Sequence, residues 1–284
     1  MPRTIAPKDR YRSHELSSGV LLGSFHPGGK EGPNHEVLAD VPGGQTWSDL
    51  LLLGGKDEPF QLLVPDIRMP ANQYWPLHWH DCWTVVLIIE GQCCIGDWWM
   101  KPGDVFITIP SLEYGPLVSG PQGCRLFEIF AQAHLAPGGY APEYRDHPTL
   151  HGTSAVFIER SALNQRNVGR QILPCDNVPG ITKTRLTPEL EVNLGDVNDP
   201  ERGSLKSTSL KANQQLLPAH RYEDWHAVVV LDGTVQIGGQ TLGKDDYLTI
   251  RPGSRVDAIA AGAQGAQLLE LALTARGMKA HALT

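Results

Sequence analysis

Two histidines one residue apart, His78 and His80, are the clearest candidate ligands in this 284-residue chain. In an extended strand residues i and i+2 share a face, so both imidazoles can point to one side and hold one ion between them. The same spacing also suits two water-satisfied histidines on a polar face. A second histidine pair, His220 and His226, stands in a stretch that resembles the first. Pro76 to Gly91 reads PLHWHDCWTVVLIIEG, and Pro218 to Gly233 reads PAHRYEDWHAVVVLDG.

The likeness extends well beyond the histidines. At a constant offset of 142 residues, half the chain, His78 falls on His220, Trp83 on Trp225, Gly91 on Gly233, Asp104 on Asp246, Pro110 on Pro252 and Glu128 on Glu270. Gln73 to Phe130 against Gln215 to Ala272 gives 15 identities in 58 ungapped positions, where chance gives roughly four. The chain is therefore expected to hold two tandem copies of one unit, residues 1–142 and 143–284. Upstream the match weakens, and Leu53-Gly54 aligns with Leu194-Gly195 only after a one-residue slip.

Short strands must position these residues. Val85 to Ile89 and Val228 to Leu231 are too short for core helices and read as buried strands. Glu90-Gly91 and Asp232-Gly233 follow at once and predict hairpin turns. A second strand runs to Ile95 or Ile237 and a third ends at Pro110 or Pro252. Leu126 to Phe130 and Gln267 to Leu271 predict closing strands. No amphipathic helix of ten or more residues is evident in the repeat. The fold class is all-β, and closing such sheets into barrels removes their exposed edges. The stretch from about Ala133 to Pro188 reads as the connection plus the opening strands of the second unit, and the segment before Trp47 as outer strands and an arm.

Composition agrees. Thirty glycines and twenty-two prolines suit many turns, while 41% apolar and 19% charged residues describe a globular protein with real cores. A formal charge of −7 gives no attraction to nucleic acid or an anionic membrane. The longest aliphatic run, Val85 to Ile89, is far too short to span a bilayer, and Met1 to Arg10 lacks the apolar stretch of a secretory signal. Five cysteines, odd in number and without a CxxC pair, fit free thiols in a reduced, cytoplasmic compartment. Cys93 and Cys94 should face opposite ways. No P-loop, dinucleotide fingerprint, nucleophile elbow or zinc-finger spacing is present.

The HWH stretch, the strand ending in Glu-Gly, Pro102-Gly103-Asp104 and Pro110 together resemble the cupin superfamily, over roughly Ala71 to Phe130 and Asn213 to Leu273. Cupins are small jelly-roll barrels with two motifs, G-x5-H-x-H-x3-4-E-x6-G and G-x5-P-x-G-x2-H-x3-N. The resemblance implies two tandem barrels, a bicupin, commonly paired as a homodimer, with a divalent ion (Fe, Mn, Ni or Zn) held by the motif histidines and glutamate. It places His78 and His80 as metal ligands of the first barrel and His220 and His226 as those of the second. The chain departs from the pattern in four places. Thr84 takes the glutamate position of the first unit, Tyr222 replaces the second histidine of the second, and His226 takes its glutamate position. The second-motif histidine falls near Tyr114 or Gly115, which makes Tyr114 a candidate catalytic phenol, phenolate ligand or cavity wall. Glu128 and His134 could supply a missing ligand. In the second unit His220, His226 and Asp257 would make a two-histidine, one-carboxylate set suited to non-haem Fe(II).

Around the first pair stand Tyr74, Trp75, Trp79, Trp83, Trp98 and Trp99, and the inward members would line an apolar pocket for a small organic molecule. The implied function is a metal-dependent enzyme on such a molecule, foremost a dioxygenase, with hydrolase or isomerase chemistry beside it. The competing class is a non-catalytic small-molecule sensor, favoured by the incomplete ligand sets.

Overall fold

A computed structural model describes residues 3–4, 14–25, 35–41, 44–54, 61–75, 79–80, 82–110, 112–133, 172–195, 202–274 and 280–282. Every regular element among them is a strand, and none is a helix long and apolar enough to cross a membrane. Two compact units emerge, Asn34–Leu186 and Met1–Pro33 together with Thr187–Thr284. They are not the halves 1–142 and 143–284 that the repeat alone suggests, and strand pairing explains why.

In the first unit one sheet runs in the order Ile181–Arg185, Asp104–Thr108, Trp83–Ile95, Leu117–Ala133, Gln61–Met69, Gly44–Leu53 and His35–Val41. In the second the order is Glu191–Leu194, Arg202–Leu210, Ile259–Thr274, Trp225–Ile237, Asp246–Ile250, Val20–Ser24 and His14–Ser17. A small separate sheet there joins Arg255–Val256, His220–Tyr222 and Ala280–Ala282. Asp104–Thr108 and Asp246–Ile250 are equivalent in the repeat, yet each takes its outer partner from elsewhere in the chain. Ile181–Arg185 closes the first unit, with Arg185 Nη1 2.7 Å from Asp104 Oδ1. Val20–Ser24 closes the second. Ile181–Arg185 therefore belongs to the first barrel, not to the opening of the second.

The 142-residue offset holds through Trp83–Ile95 and Trp225–Ile237. Upstream it becomes 141. Asn72 N–H donates to Gly120 O, and Asn213 N–H to Gly262 O, both at 3.1 Å. The extra residue is absorbed where Gln215–Leu217 shifts register against Ile259–Thr274. The sequence slip at Leu194-Gly195 is thus a β-bulge in the second barrel.

Glu90-Gly91 and Asp232-Gly233 are not hairpin turns. Trp83–Ile95 and Trp225–Ile237 run straight through them, and the chain reverses after Ile95 and Ile237 instead. The glycines mark a close approach between strands. A Cβ on Gly91 would lie 2.2 Å from Gly123 O, and one on Gly233 2.2 Å from Gly265 O, each at a positive φ. Inward side chains of each unit form its core, with Val86, Ile88, Phe106, Tyr114 and Leu126 in the first and Val228, Val230, Leu248, Ile250 and Leu268 in the second. On the other face of Gln61–Met69, Asp66 is fully buried and grips Arg125 through two bonds, Nε–Oδ1 at 2.8 Å and Nη2–Oδ2 at 3.0 Å. A planar guanidinium suits this two-point contact.

Candidate functional site

In the first barrel the interior carboxylate comes from the closing strand Leu117–Ala133. Glu128 opposes Val86 in the ladder and shares that residue's inward face. Tyr114 Oη donates to Glu128 Oε1 at 3.0 Å, and His80 Nε2 lies 3.6 Å from the same oxygen. The Phe130 ring meets the His80 ring edge-on at 4.6 Å, and Phe106 lies 5.0 Å from Tyr114. All three polar residues are buried in these apolar surroundings. Burial and the adjacent Glu128 carboxylate hold the Tyr114 phenol well above its ordinary pKa, so it stays protonated and acts as a donor.

Thr84, at the cupin glutamate position, is buried and donates to Cys82 O at 3.3 Å. It opposes Phe130, so Glu128 lies diagonally across the ladder from it. Diagonal neighbours lie within reach of long side chains. Glu128 thus brings a carboxylate to the interior face beside Thr84. His78 and His134 lie outside the described residues.

The second barrel rearranges the same positions. His220 and Tyr222 are buried on one face of their strand, with Arg221 exposed between them. Tyr222 packs 4.1 Å from the His220 ring and stacks on His226 at 4.7 Å, so both candidate histidines enter one interior. Glu270 Oε2 lies 3.8 Å from His226 Nε2, and its Oε1 accepts from Thr208 Oγ1 at 2.5 Å. His220 Nδ1 sits 2.5 Å from Pro218 O. A carbonyl only accepts, so the proton is on Nδ1 and the Nε2 lone pair is free to face elsewhere.

Among the described residues, His220 Nε2, both ring nitrogens of His226 and Tyr222 Oη are buried without a hydrogen-bond partner. Such groups cost roughly 1–3 kcal/mol each when left so. Burial first, then His220 and Lys206, lower the His226 pKa to about 3, and burial with Glu270 holds the Tyr222 phenol well above its ordinary value. Within the second-barrel cluster the His226 imidazole and the Tyr222 phenol are therefore neutral.

Asp257 does not join it. Val256 pairs with His220 and is buried, so the next residue turns outward, and Asp257 is exposed with its carboxylate near the Gly238 turn. Among the described residues no three His, Cys, Asp or Glu side chains form a ready metal cluster.

The tryptophans divide between the two faces. Trp75 and Trp98 pack partly buried against the first core, with Trp98 Nε1 donating to Asp176 Oδ1 at 2.7 Å, and Trp99 is 59% exposed. Phe106 and Tyr114 lie within that core. All five cysteines are free. Cys93 is buried and Cys94 half-buried on the opposite face. Hydrogen bonding to Cys124 and burial raise the Cys93 pKa well above its ordinary value, which suppresses the thiolate that reactivity needs.

No protein-family model matches the sequence, and no curated protein sequence matches it. Among solved structures the chain is similar to a candidate dioxygenase from Nostoc punctiforme, at 10% identity and a TM-score of 0.54, over 88% of this chain and 84% of that one. It is also similar to the bacterial pirin YhhW of Escherichia coli, determined in complex with nickel(II), at 14% identity and a TM-score of 0.51, over 83% of this chain and 94% of that one. Identities this low speak to fold alone. With its antiparallel cores and doubled strand order, the chain has, like these neighbours, a cupin-type fold of two jelly-roll β-barrels.

Proposed function

We propose that this chain is a metal-dependent bicupin enzyme acting on a small organic molecule, with dioxygenase-type oxidation as its reaction. The observation that carries this reading is the set of partnerless buried atoms on His220, His226 and Tyr222 beside Glu270. The donor chemistry fits an ion. Two ligands each about 2.1 Å from one metal lie roughly 3–4 Å apart, and the His–Glu separations are 3.6 Å in the first barrel and 3.8 Å in the second. The bond from His220 Nδ1 to Pro218 O is the outer contact that orients a ligating imidazole.

His220 and His226, with Glu270, would hold the ion in the second barrel. His78 and His80, with Glu128, would hold one in the first. A bound divalent metal supplies Lewis acidity or oxygen activation, according to its identity. The protein supplies the rest. Phe106 and Phe130 keep the first interior apolar, and Tyr114 presents a phenol proton that Glu128 Oε1 accepts until a substrate oxygen competes for it. The dioxygenase assignment draws on the Nostoc neighbour. A second reading, non-catalytic binding of a small molecule in the same interior, is favoured by the lack of a three-ligand cluster among the described residues.

Elemental analysis separates the two. After loading with Fe, Mn, Ni or Zn, about one ion per occupied barrel is expected. His78→Ala/His80→Ala should empty the first barrel only, and His220→Ala/His226→Ala the second only. No retained metal in the wild type, or full retention in both variants, overturns the metal assignment.

A further inference from the structure

We propose that the second barrel carries a binding groove for a small oxyanion, a molecule bearing a carboxylate or phosphate group, on its rim outside the interior cluster. The groove has a volume of about 500 Å³ and is lined by Arg251, Arg255, Ser17, Ser18, Ser254 and Glu15, beside the Gly19 and Gly253 turns. A groove of this size admits a metabolite-sized molecule.

Its two walls are tied together before any ligand arrives. Arg251 N–H donates to Gly19 O at 2.8 Å and Ser254 N–H to Arg251 O at 3.1 Å. A Cβ on Gly19 would lie 2.2 Å from Ser254 Oγ, so the turns touch where only glycine fits. Such preorganisation lowers the ordering cost of binding.

The chemistry of the lining selects an anion. Among the described residues neither Arg251 nor Arg255 forms an ion pair, although the chain carries a net charge of −7. The Arg251 guanidinium is held 5.9 Å over the Trp225 ring. Glu15, the one acid in the lining, is engaged in accepting the Gly19 N–H at 3.2 Å. Two guanidiniums without an ion-pair partner among the described residues, with three serine hydroxyls, supply the charge and hydrogen-bond donors that a carboxylate or phosphate accepts. The groove also touches the interior through the backbone. Gly253 N–H donates to Tyr222 O at 2.7 Å, and Tyr222 N–H to Ser254 O at 3.2 Å. An anion gripping this turn therefore tightens the strand that carries His220 and Tyr222.

Calorimetric titration of the full chain at low ionic strength, with inorganic phosphate and separately with succinate, tests the assignment. Saturable one-site binding of at least one probe is expected. Phosphate alone identifies a phosphate-bearing ligand, and succinate alone a carboxylate. Arg251→Gln and Arg255→Gln should each weaken binding at least tenfold. Glu15→Gln should tighten it several-fold, a direction that a folding defect cannot produce. Absence of saturable binding by both probes, or unchanged affinity in both arginine variants, overturns the proposal whatever the metal content of the interior.

Discussion

The neutral, buried His226 makes the second barrel acid-sensitive in a way that can be calculated. Its pKa is lowered to about 3 in the folded chain, against about 6.5 when unfolded. Between these values the unfolded chain binds more protons at this residue than the folded chain does. Stability therefore rises with pH across that window, levels off above about 6.5, and is lost as pH falls toward 3. At pH 5 the loss relative to pH 7.5 is about 2 kcal/mol, from 1.36 kcal/mol for each pH unit below the unfolded pKa. The perturbation is His226→Gln, which removes the titrating ring and leaves a polar side chain. Metal-free protein is compared at pH 5.0 and 7.5, with hydrogen exchange in Trp225–Ile237 and Ile259–Thr274 isolating the second barrel. Wild type should lose about 2 kcal/mol of protection at pH 5.0 in excess of whatever the variant loses. An equal pH dependence in both proteins would refute the reasoning, because the acid sensitivity would then arise elsewhere.

Other perturbations follow from the same geometry. Tyr114→Phe keeps the ring and removes the donor to Glu128, so it should cost about 1–3 kcal/mol in urea denaturation of the first barrel. Asp66→Asn breaks a fully buried two-point contact with Arg125 and should cost about 3–5 kcal/mol, read as a lowered denaturation midpoint. Gly233→Ala drives a Cβ toward Gly265 O at a positive φ, and should lower the melting temperature of the second barrel while sparing strands of the first in hydrogen exchange.

The repeat and the all-β class were legible because apolar runs of four or five residues with turn residues between them admit little else. Strand alternation was equally legible: buried His220, exposed Arg221 and buried Tyr222 follow directly from strand geometry. Glu128 and Glu270 were harder. Each sits in an otherwise apolar strand and recurs at the offset of 142, which marks it, but its nearness to a histidine depends on cross-strand register. Asp257 illustrates the same limit, since a one-residue choice decides whether Val256 or Asp257 faces inward. Gly91 misled for a related reason. A Glu-Gly pair after an apolar run signals a turn locally, whereas here the close approach of Gly123, thirty-odd positions away, fixes its conformation. The barrel boundaries were hidden because the closing strands lie outside the repeated region and have no counterpart to align.

Strand exchange along the chain also has a meaning in time. Ser24 bonds to Asp245 O across a sequence separation of 221 residues. At a synthesis rate of roughly 5–20 residues per second, about 10–40 s separate the emergence of these two partners from the ribosome. Val20–Ser24 is thus made first and used last, while the first barrel gains its own edge from Ile181–Arg185. The nascent chain therefore carries the Val20–Ser24 strand, paired on one side with His14–Ser17 and open on the other, until Asp246–Ile250 is made. That interval is when an unpaired strand edge is open to mispairing with another chain.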